Sequence, residues 1–294
     1  MPELPDLTIY LEHLDARVSG RVLERAHVLS PFLLRTAVPP LSAADGKRVV
    51  GLRRIGKRLV LALEGDLFLV LHLMVAGRLR WLDGTAKRTA RNAMATFEFG
   101  HGTLVFTEAG TRRRASLHVV EGEAALAAMD PGGLEVMHTT RAVFAGRLRR
   151  DNHTLKRALT DPRIFAGIGN AYSDEILHRA RLSPLALTAS LAEDQVARLF
   201  ESTLAILRES TGQLRSETGT AFPEKVTAFR ATMAVHGRFR KPCPACGSPV
   251  QRIVYADTET NYCARCQTGG KILADRMLSR LLKKSWPKSI DDFD

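Results

Sequence analysis

The chain has 294 residues, 45% of them apolar, and a formal charge of +12. That length suits about two domains, and that much apolar material builds packed cores, which excludes disorder as the main state. No run nears the roughly 18 uninterrupted apolar residues of a membrane span, and the acidic, Pro-broken start Met1-Pro-Glu-Leu-Pro-Asp6 lacks the parts of a signal peptide, so a cytosolic protein is expected. The basic surplus points to a polyanionic partner, nucleic acid or an anionic membrane surface, against the plainer reading of charge kept for solubility.

Leu4, Leu7, Leu11, Leu14 and Val18 recur at helical spacing, with Pro5 suited to a first turn and Gly20 to an end. From about Val22 to Val120 the period becomes two. Leu59–Leu63 and Leu67–Leu71 read as buried strands, and Ala95–Phe99 and Thr103–Phe106 flank Gly100-His101-Gly102, a hairpin signal. One helix plus several strands predicts a β-sandwich or barrel. After about Pro131 the helical period returns, with helices expected at Leu155–Leu159, Tyr172–Ala180 and Leu191–Leu207. Ser183-Pro184 ends the second of these. Thr218–Lys225 reads as a loop, Lys271–Lys284 as a basic amphipathic helix, and the acidic tail Asp291–Asp294 is expected to fray.

Cys243, Cys246, Cys263 and Cys266 are the only cysteines: two CxxC knuckles with sixteen residues between them. In a cytosolic chain this spacing reads as a closed four-thiolate zinc site, structural because no ligand position is left open; two disulfides or a redox pair would need an oxidising compartment. The first knuckle lies in a stretch, Lys225 to Ala256, with six basic residues and no acid. Lys47–Arg58 is a second acid-free basic run, Arg112-Arg113-Arg114 a third, and Arg141–Arg157 a fourth with one acid, Asp151. Separated basic segments point to one long groove assembled from different parts of the chain, where a single basic tail would point to a nonspecific anchor.

Three further places can carry chemistry. Removal of methionine before proline exposes Pro2 as a secondary amine, which attacks a sugar C1′ to give an iminium; an α-amino group, with a pKa of about 8, keeps a neutral fraction near pH 7. Glu3 beside it can move protons. The plainer reading is an ordinary helix start. Gly167-Ile168-Gly169-Asn170 lets backbone N–H groups and a following helix start approach a phosphate, or is simply an interhelical turn. Lys57 stands at a loop-to-strand junction where it can clamp a phosphate or remain a solvated charge. His72, after a buried strand, reads on its own as a satisfied histidine.

Taken together, Met1–Asp6, Gly56-Lys57, His72–Arg78, Ala166–Leu177 and the paired CxxC motifs resemble the formamidopyrimidine-DNA glycosylase/endonuclease VIII family in content and in order, to about Gln267. The resemblance implies an α+β multi-domain fold: an N-terminal helix plus β-sandwich (1–130), a helix-two-turn-helix domain (131–232) and a zinc finger (233–270), followed here by a C-terminal helical extension and acidic tail (271–294). It implies a bacterial, nucleoid-associated, monomeric base-excision repair enzyme that binds damaged DNA and flips the damaged base from the duplex. Catalytic roles carry over to Pro2 as nucleophile, Glu3 as acid–base partner and Lys57 as the phosphate-binding lysine near the sugar. DNA-backbone contacts carry over to His72, Lys156 and Asn170, and one structural Zn2+ to the four cysteines; Gly167 and Gly169 of the turn and the basic residues Arg112 and Arg252 are expected to bind DNA with them. The implied reaction is base displacement followed by β- and δ-elimination, with no membrane partner.

This sequence departs from the family pattern in three ways. The finger arginine five positions before the third cysteine is Thr258, which lacks the charge and the bidentate fork; Arg252, Arg265 or Asn261 are the candidates to compensate. The Met-type wedge and the Arg-x-Phe loop that fill the vacated base position correspond to Met74-Val75-Ala76 and Arg112-Arg113-Arg114-Ala115, with no phenylalanine. The chain runs 28 residues past Cys266. Retained chemistry with a weakened duplex reader predicts altered preference: single-stranded or distorted DNA, or oxidised pyrimidines. The alternatives are a non-excising binder of abasic or structured DNA on the same scaffold and, more distantly, a zinc-ribbon transcription or RNA-binding factor.

Overall fold

The computed structural model describes residues 1–84, 92–109, 113–224, 226–227, 229–255, 258–273, 280–281 and 288–293. The chain divides into two compact units. The first comprises residues 1–131 with 210–227, the second 132–209 with 228–294. Among the described residues no helix is long and apolar enough to cross a membrane.

The first unit opens with helix α1 (Leu4–Val18), whose first turn is held by a reciprocal capping box between Glu3 and Asp6. Its strands are β1 (Val22–Leu23), β2 (Arg25–Val28), β3 (Lys47–Ile55), β4 (Arg58–Leu63), β5 (Leu67–His72), β6 (Gly77–Asp83), β7 (Ala93–Phe99), β8 (Gly102–Glu108) and β9 (Ser116–Glu121), with the short helix α2 (Glu123–Ala127) after them. They pair antiparallel in two sheets, ordered β1-β3-β4-β5-β9 and β2-β7-β8-β6. Leu59, Leu61, Leu69, Leu71 and Leu117 from one sheet meet Leu79, Phe97, Leu104 and Phe106 from the other, with Leu7, Tyr10 and Leu14 of α1 joining the same core. The uninterrupted apolar strands are explained by a second layer. Val60, Phe68, Val70 and Val120 face away from that core and pack under Leu126 of α2, so β4 and β5 are buried on both faces near α2.

The second unit carries helices α3 (Arg141–Arg149), α4 (Leu155–Thr160), α5 (Asn170–Ala180) and the first part of α6 (Glu193–Thr218). It also holds a hairpin of β10 (Gln251–Tyr255) and β11 (Thr258–Tyr262) and the short helix α7 (Ala264–Thr268). Helix α6 continues past the expected end at Leu207, through Gly212. A glycine inside a helix costs about 1 kcal/mol, offset here by burial of Leu214 nearby. Residues 210–227, the end of α6 and the segment after it, belong to the first unit, where Val226 enters the core and Phe222 packs beside it.

The start of the acidic tail expected to fray over Asp291–Asp294 is instead held, while Asp294 lies outside the described residues. Ile290 is buried with Ile272, Leu273 and Tyr262, Ile290 N donates to Gly270 O (2.8 Å), and Asp291 pairs with Arg265 at 2.9 Å. An apolar anchor and two kinds of polar contact hold the segment down. Most of the helix expected over Lys271–Lys284 lies outside the described residues, which cover only 271–273 and 280–281 of it.

Candidate functional site: an N-terminal amine and a helix-anchored zinc finger

In the first unit the amino terminus leads into the first turn of α1. Pro2 and Glu3 are buried. The charged groups felt by the Met1 amine are Glu3, Arg78, Asp6 and Lys57, and burial is the largest influence, lowering its pKa below the usual 8. Lys57 is the second residue of a two-residue turn between β3 and β4, and Gly56 before it takes φ +56°, the positive value such turns require at their first position. His72 ends β5, directly opposite Arg58 of β4. Burial, then the cations Arg58 and Lys57, push its pKa down to about 4, so the ring is neutral at pH 7.

The turn from β5 to β6 is tight. A Cβ at Gly77 would lie 2.2 Å from Leu73 O, so only glycine fits. Met74 takes φ +51°, and Val75, at 62% exposure, is the apolar residue offered to solvent. Arg112 lies outside the described residues. The loop beside it is held by Glu108, a buried carboxylate not foreseen from sequence, whose Oε1 accepts from Arg114 N (2.9 Å) and Ala115 N (3.0 Å). Its alternating position in β8 gave no signal separating it from an outward-facing acid.

In the second unit, Gly167 (φ +78°) and Gly169 lead into α5 with Asn170 at its first position. Asn170 Nδ2 donates to Glu259 O of β11 (2.8 Å), which ties the turn to the zinc hairpin. Lys156 is turned inward: its ammonium donates to Asn170 O (2.8 Å), Ser173 Oγ (2.8 Å) and Asp174 Oδ1 (2.5 Å). Asp174 also accepts from Asn261 N (3.1 Å) and meets His236 Nδ1 (2.8 Å). Its neighbour Glu175 accepts from the backbone N–H groups of Ala234, Val235 and His236 at 2.7–2.9 Å. These two acids of α5 organise the chain entering the finger; helical periodicity alone places them in a helix without saying that they are buried.

The four cysteine sulfurs lie within 4.8 Å of one another, with Cys246–Cys263 at 3.3 Å and Cys243–Cys266 at 3.9 Å. A tetrahedral zinc with Zn–S of about 2.3 Å spaces its sulfurs at about 3.8 Å, so the thiols fit one structural zinc ion. Burial pushes the Cys263 and Cys266 thiols up, whereas at Cys246 burial is outweighed by hydrogen bonds, those from Ser248 foremost, which bring it down to about 6, so a cation is what lets all four thiols ionise together. His178 of α5 places Nε2 3.2 Å from Cys243 Sγ, a supporting contact that no spacing rule reveals.

The candidates to replace the finger arginine are all occupied. Arg252 pairs with Glu259 (3.0 Å) and lies over the Phe239 ring at 4.3 Å. Arg265 pairs with Asp291. Asn261 is buried, bonding Glu259 Oε1 (2.7 Å) and accepting from Gly237 N. Thr258 opens β11 and is exposed.

An N-terminal helix on a β-sandwich, a Gly-turned helix start and a four-thiol finger define a zinc-finger class of helix-two-turn-helix DNA repair proteins. Family models agree along the chain: the formamidopyrimidine-DNA glycosylase N-terminal domain matches residues 1–117, its H2TH domain 129–220, and the zinc finger found in FPG and IleRS 240–269. A formamidopyrimidine-DNA glycosylase of Thermus thermophilus is 33% identical over 274 residues, covering 92% of this chain and all of the relative. An uncharacterized formamidopyrimidine-DNA glycosylase-like protein of Mycobacterium tuberculosis is 40% identical over 156 residues, 53% of this chain and 95% of its own length. The Lactococcus lactis glycosylase solved with abasic-site DNA superposes with a TM-score of 0.79 at 25% identity, covering 90% of this chain and 99% of its own; the same protein is solved with DNA containing an oxidised pyrimidine (TM-score 0.80). The chain belongs to the formamidopyrimidine-DNA glycosylase family, DNA glycosylases that act in the repair of damaged bases.

Proposed function

We propose that this protein is a bifunctional glycosylase and abasic-site lyase that removes oxidatively damaged bases through Pro2. With Met1 removed, the Pro2 nitrogen attacks C1′ of the damaged nucleotide. The glycosidic bond breaks and the departing base takes up a proton. Glu3 protonates the sugar ring oxygen as the ring opens, leaving an iminium between Pro2 and C1′. Loss of a C2′ proton expels the 3′ phosphate (β-elimination), and a second elimination expels the 5′ phosphate. Water then hydrolyses the adduct and frees Pro2. Lys57 holds a flanking phosphate beside the sugar. His72, Arg112, Gly167, Gly169 and Asn170 grip backbone, Arg252 joins them at the finger only by giving up Glu259, and Lys156 fixes the Asn170 turn. Zinc shapes the finger and takes no part in the bond changes.

One observation carries this reading: Pro2 is buried beside Glu3, and the Met1 amine that precedes it lies within electrostatic reach of Lys57 and Arg78. Burial disfavours a charged amine, as it does for the Met1 amine that precedes Pro2, so the buried setting of Pro2 and Glu3 favours a neutral nucleophile once Met1 is gone. Val75 in place of a longer wedge, and Thr258 at the finger, support a preference for single-stranded or distorted DNA over intact duplex. A second reading, a non-excising binder of abasic or structured DNA, draws on the internal pairing of Arg252, Arg265 and Asn261.

Borohydride trapping on oligonucleotides carrying an oxidised base or an abasic site separates the two. A covalent adduct that disappears in Pro2→Gly and in protein retaining Met1 is the expected result. Tight binding with no adduct on any substrate establishes the binder.

A further inference from the structure

The outer face of the five-stranded sheet changes character along its strands. Near α2 it is apolar and covered; at the opposite end, nearest Lys57, it is basic. Register puts Arg58, His72 and Ser116 side by side across β4, β5 and β9, and His118 follows two residues along β9, hence on the same face. Residues 33–36 then add an edge beyond β9. Leu117 N donates to Leu33 O (2.8 Å) and Arg35 N to Leu117 O (2.9 Å), while Val119 N donates to Thr36 Oγ1 (2.8 Å). Leu34 and Leu117 pair in parallel and, with Leu33, pack toward the sandwich core, while Arg35 is exposed and lies within electrostatic reach of His118. Four neighbouring chain segments therefore present one row of basic side chains. At about 4.8 Å per strand the row is about 14 Å long, roughly the axial rise of four nucleotides at about 3.4 Å each.

Charged neighbours of the two histidines are all bases: Arg58, Lys57 and His118 for His72, and Arg58 and Arg35 for His118. Both rings are held below their ordinary proton affinity by burial first and by these cations second. An outward face that gathers cations around neutral N–H donors is complementary to an anion. The Arg35 side chain is exposed, and neither it nor His118 makes a side-chain hydrogen bond among the described residues.

We propose that Arg58, His72, His118 and Arg35 form one phosphate-binding band that continues the grip on a DNA strand from Lys57 out to the edge of the sheet. The new contributors are Arg58, whose Nη1 already donates to Met129 O (2.6 Å), leaving its remaining guanidinium N–H groups for the phosphate, His118 and Arg35; the occupant is a sugar–phosphate backbone, and the band rests on the reading that this protein acts on DNA. Each phosphate neutralised releases condensed counterions, so the band must appear in the salt dependence of binding.

The test measures Kd for a duplex containing a reduced abasic site between 50 and 300 mM KCl, using full-length protein without Met1. Arg35→Ser/His118→Ser is compared with the unmodified protein and with Arg198→Ser, an exposed α6 control. The double variant is expected to bind roughly tenfold more weakly near 0.1 M salt, with the slope of log K against log salt reduced by about one, the share of Arg35 alone because His118 is a neutral donor, while Arg198→Ser changes neither. An unchanged slope and Kd overturn the band, as does an unmodified protein that binds no DNA. If the double variant melts early, Arg35→Gln alone is read, with a slope reduced by about one as the supporting result and no change as the overturning one. Borohydride trapping by the unmodified protein is run alongside. A salt signature without an adduct leaves the band standing and removes the lyase reading.

Discussion

His72 sits half-buried against Lys57, Arg58 and His118, and its pKa of about 4 lies well below the value of about 6.5 it has when unfolded. The unfolded chain therefore binds more protons between those two values, and stability rises with pH across that window. The contribution is complete above about pH 6.5 and is lost as pH falls toward 4; at about 1.4 kcal/mol per pH unit it amounts to at most about 3 kcal/mol. His72→Gln is expected to flatten the fall in denaturation free energy between pH 6.5 and 4, measured by urea unfolding of the first unit's signal. An unaltered slope would mean that His72 is not held neutral. The functional weight of this residue was legible only through the company of its motif, because a histidine after a buried strand is commonly a satisfied one. Its basic neighbours come from the pairing of β4, β5 and β9, which local sequence does not encode.

Within elements, periodicity revealed what is local and missed what is tertiary. The leucines of α1, the Gly-His-Gly hairpin between β7 and β8 and the CxxC knuckles were readable because each signal is complete within a few residues. Three features were hidden because their partners lie far along the chain: the edge segment 33–36 on β9, the buried acids Asp174 and Glu175, and the contact of His178 with Cys243, 65 residues away. The last has a measurable consequence. An imidazole held against a ligand sulfur orients it and tunes its bond to the metal, and losing such a supporting contact typically costs 10–100-fold in metal affinity. His178→Phe preserves ring volume and is expected to speed zinc loss to a chelator about tenfold or more, read with a colorimetric zinc indicator; equal release rates would show the contact to be incidental. The returning C-terminal segment gives a second case. Ile290 is buried with Ile272, Leu273 and Tyr262, so Ile290→Ala removes methylenes from a small core and is expected to destabilise the finger by about 2 kcal/mol. Protease protection of the segment 258–273 would report it.

Across the whole molecule, the charge of +12 is spread over both units. The strongest expected phosphate contact of the finger is nevertheless absent, because a threonine stands at position 258. None of the three candidates stands free to replace it. Arg252 is paired and stacked, Arg265 is paired with Asp291, and Asn261 is buried. Net charge thus overstates the grip available at the finger, because a side chain committed to an internal partner must give up that contact before it can bind a phosphate. Thr258 lies at the exposed start of β11, so an arginine there needs no core volume. Thr258→Arg is expected to add one phosphate contact, tightening duplex binding several-fold at 0.1 M salt and steepening the salt slope by about 0.9. If the weak finger is what disfavours intact duplex, the same substitution should raise the ratio of duplex to single-strand affinity, since a guanidinium fork is best used on a backbone of fixed geometry. Equal gains on both substrates would mean that the finger does not set a duplex preference, and Val75→Met at the exposed β5–β6 turn is the complementary variant.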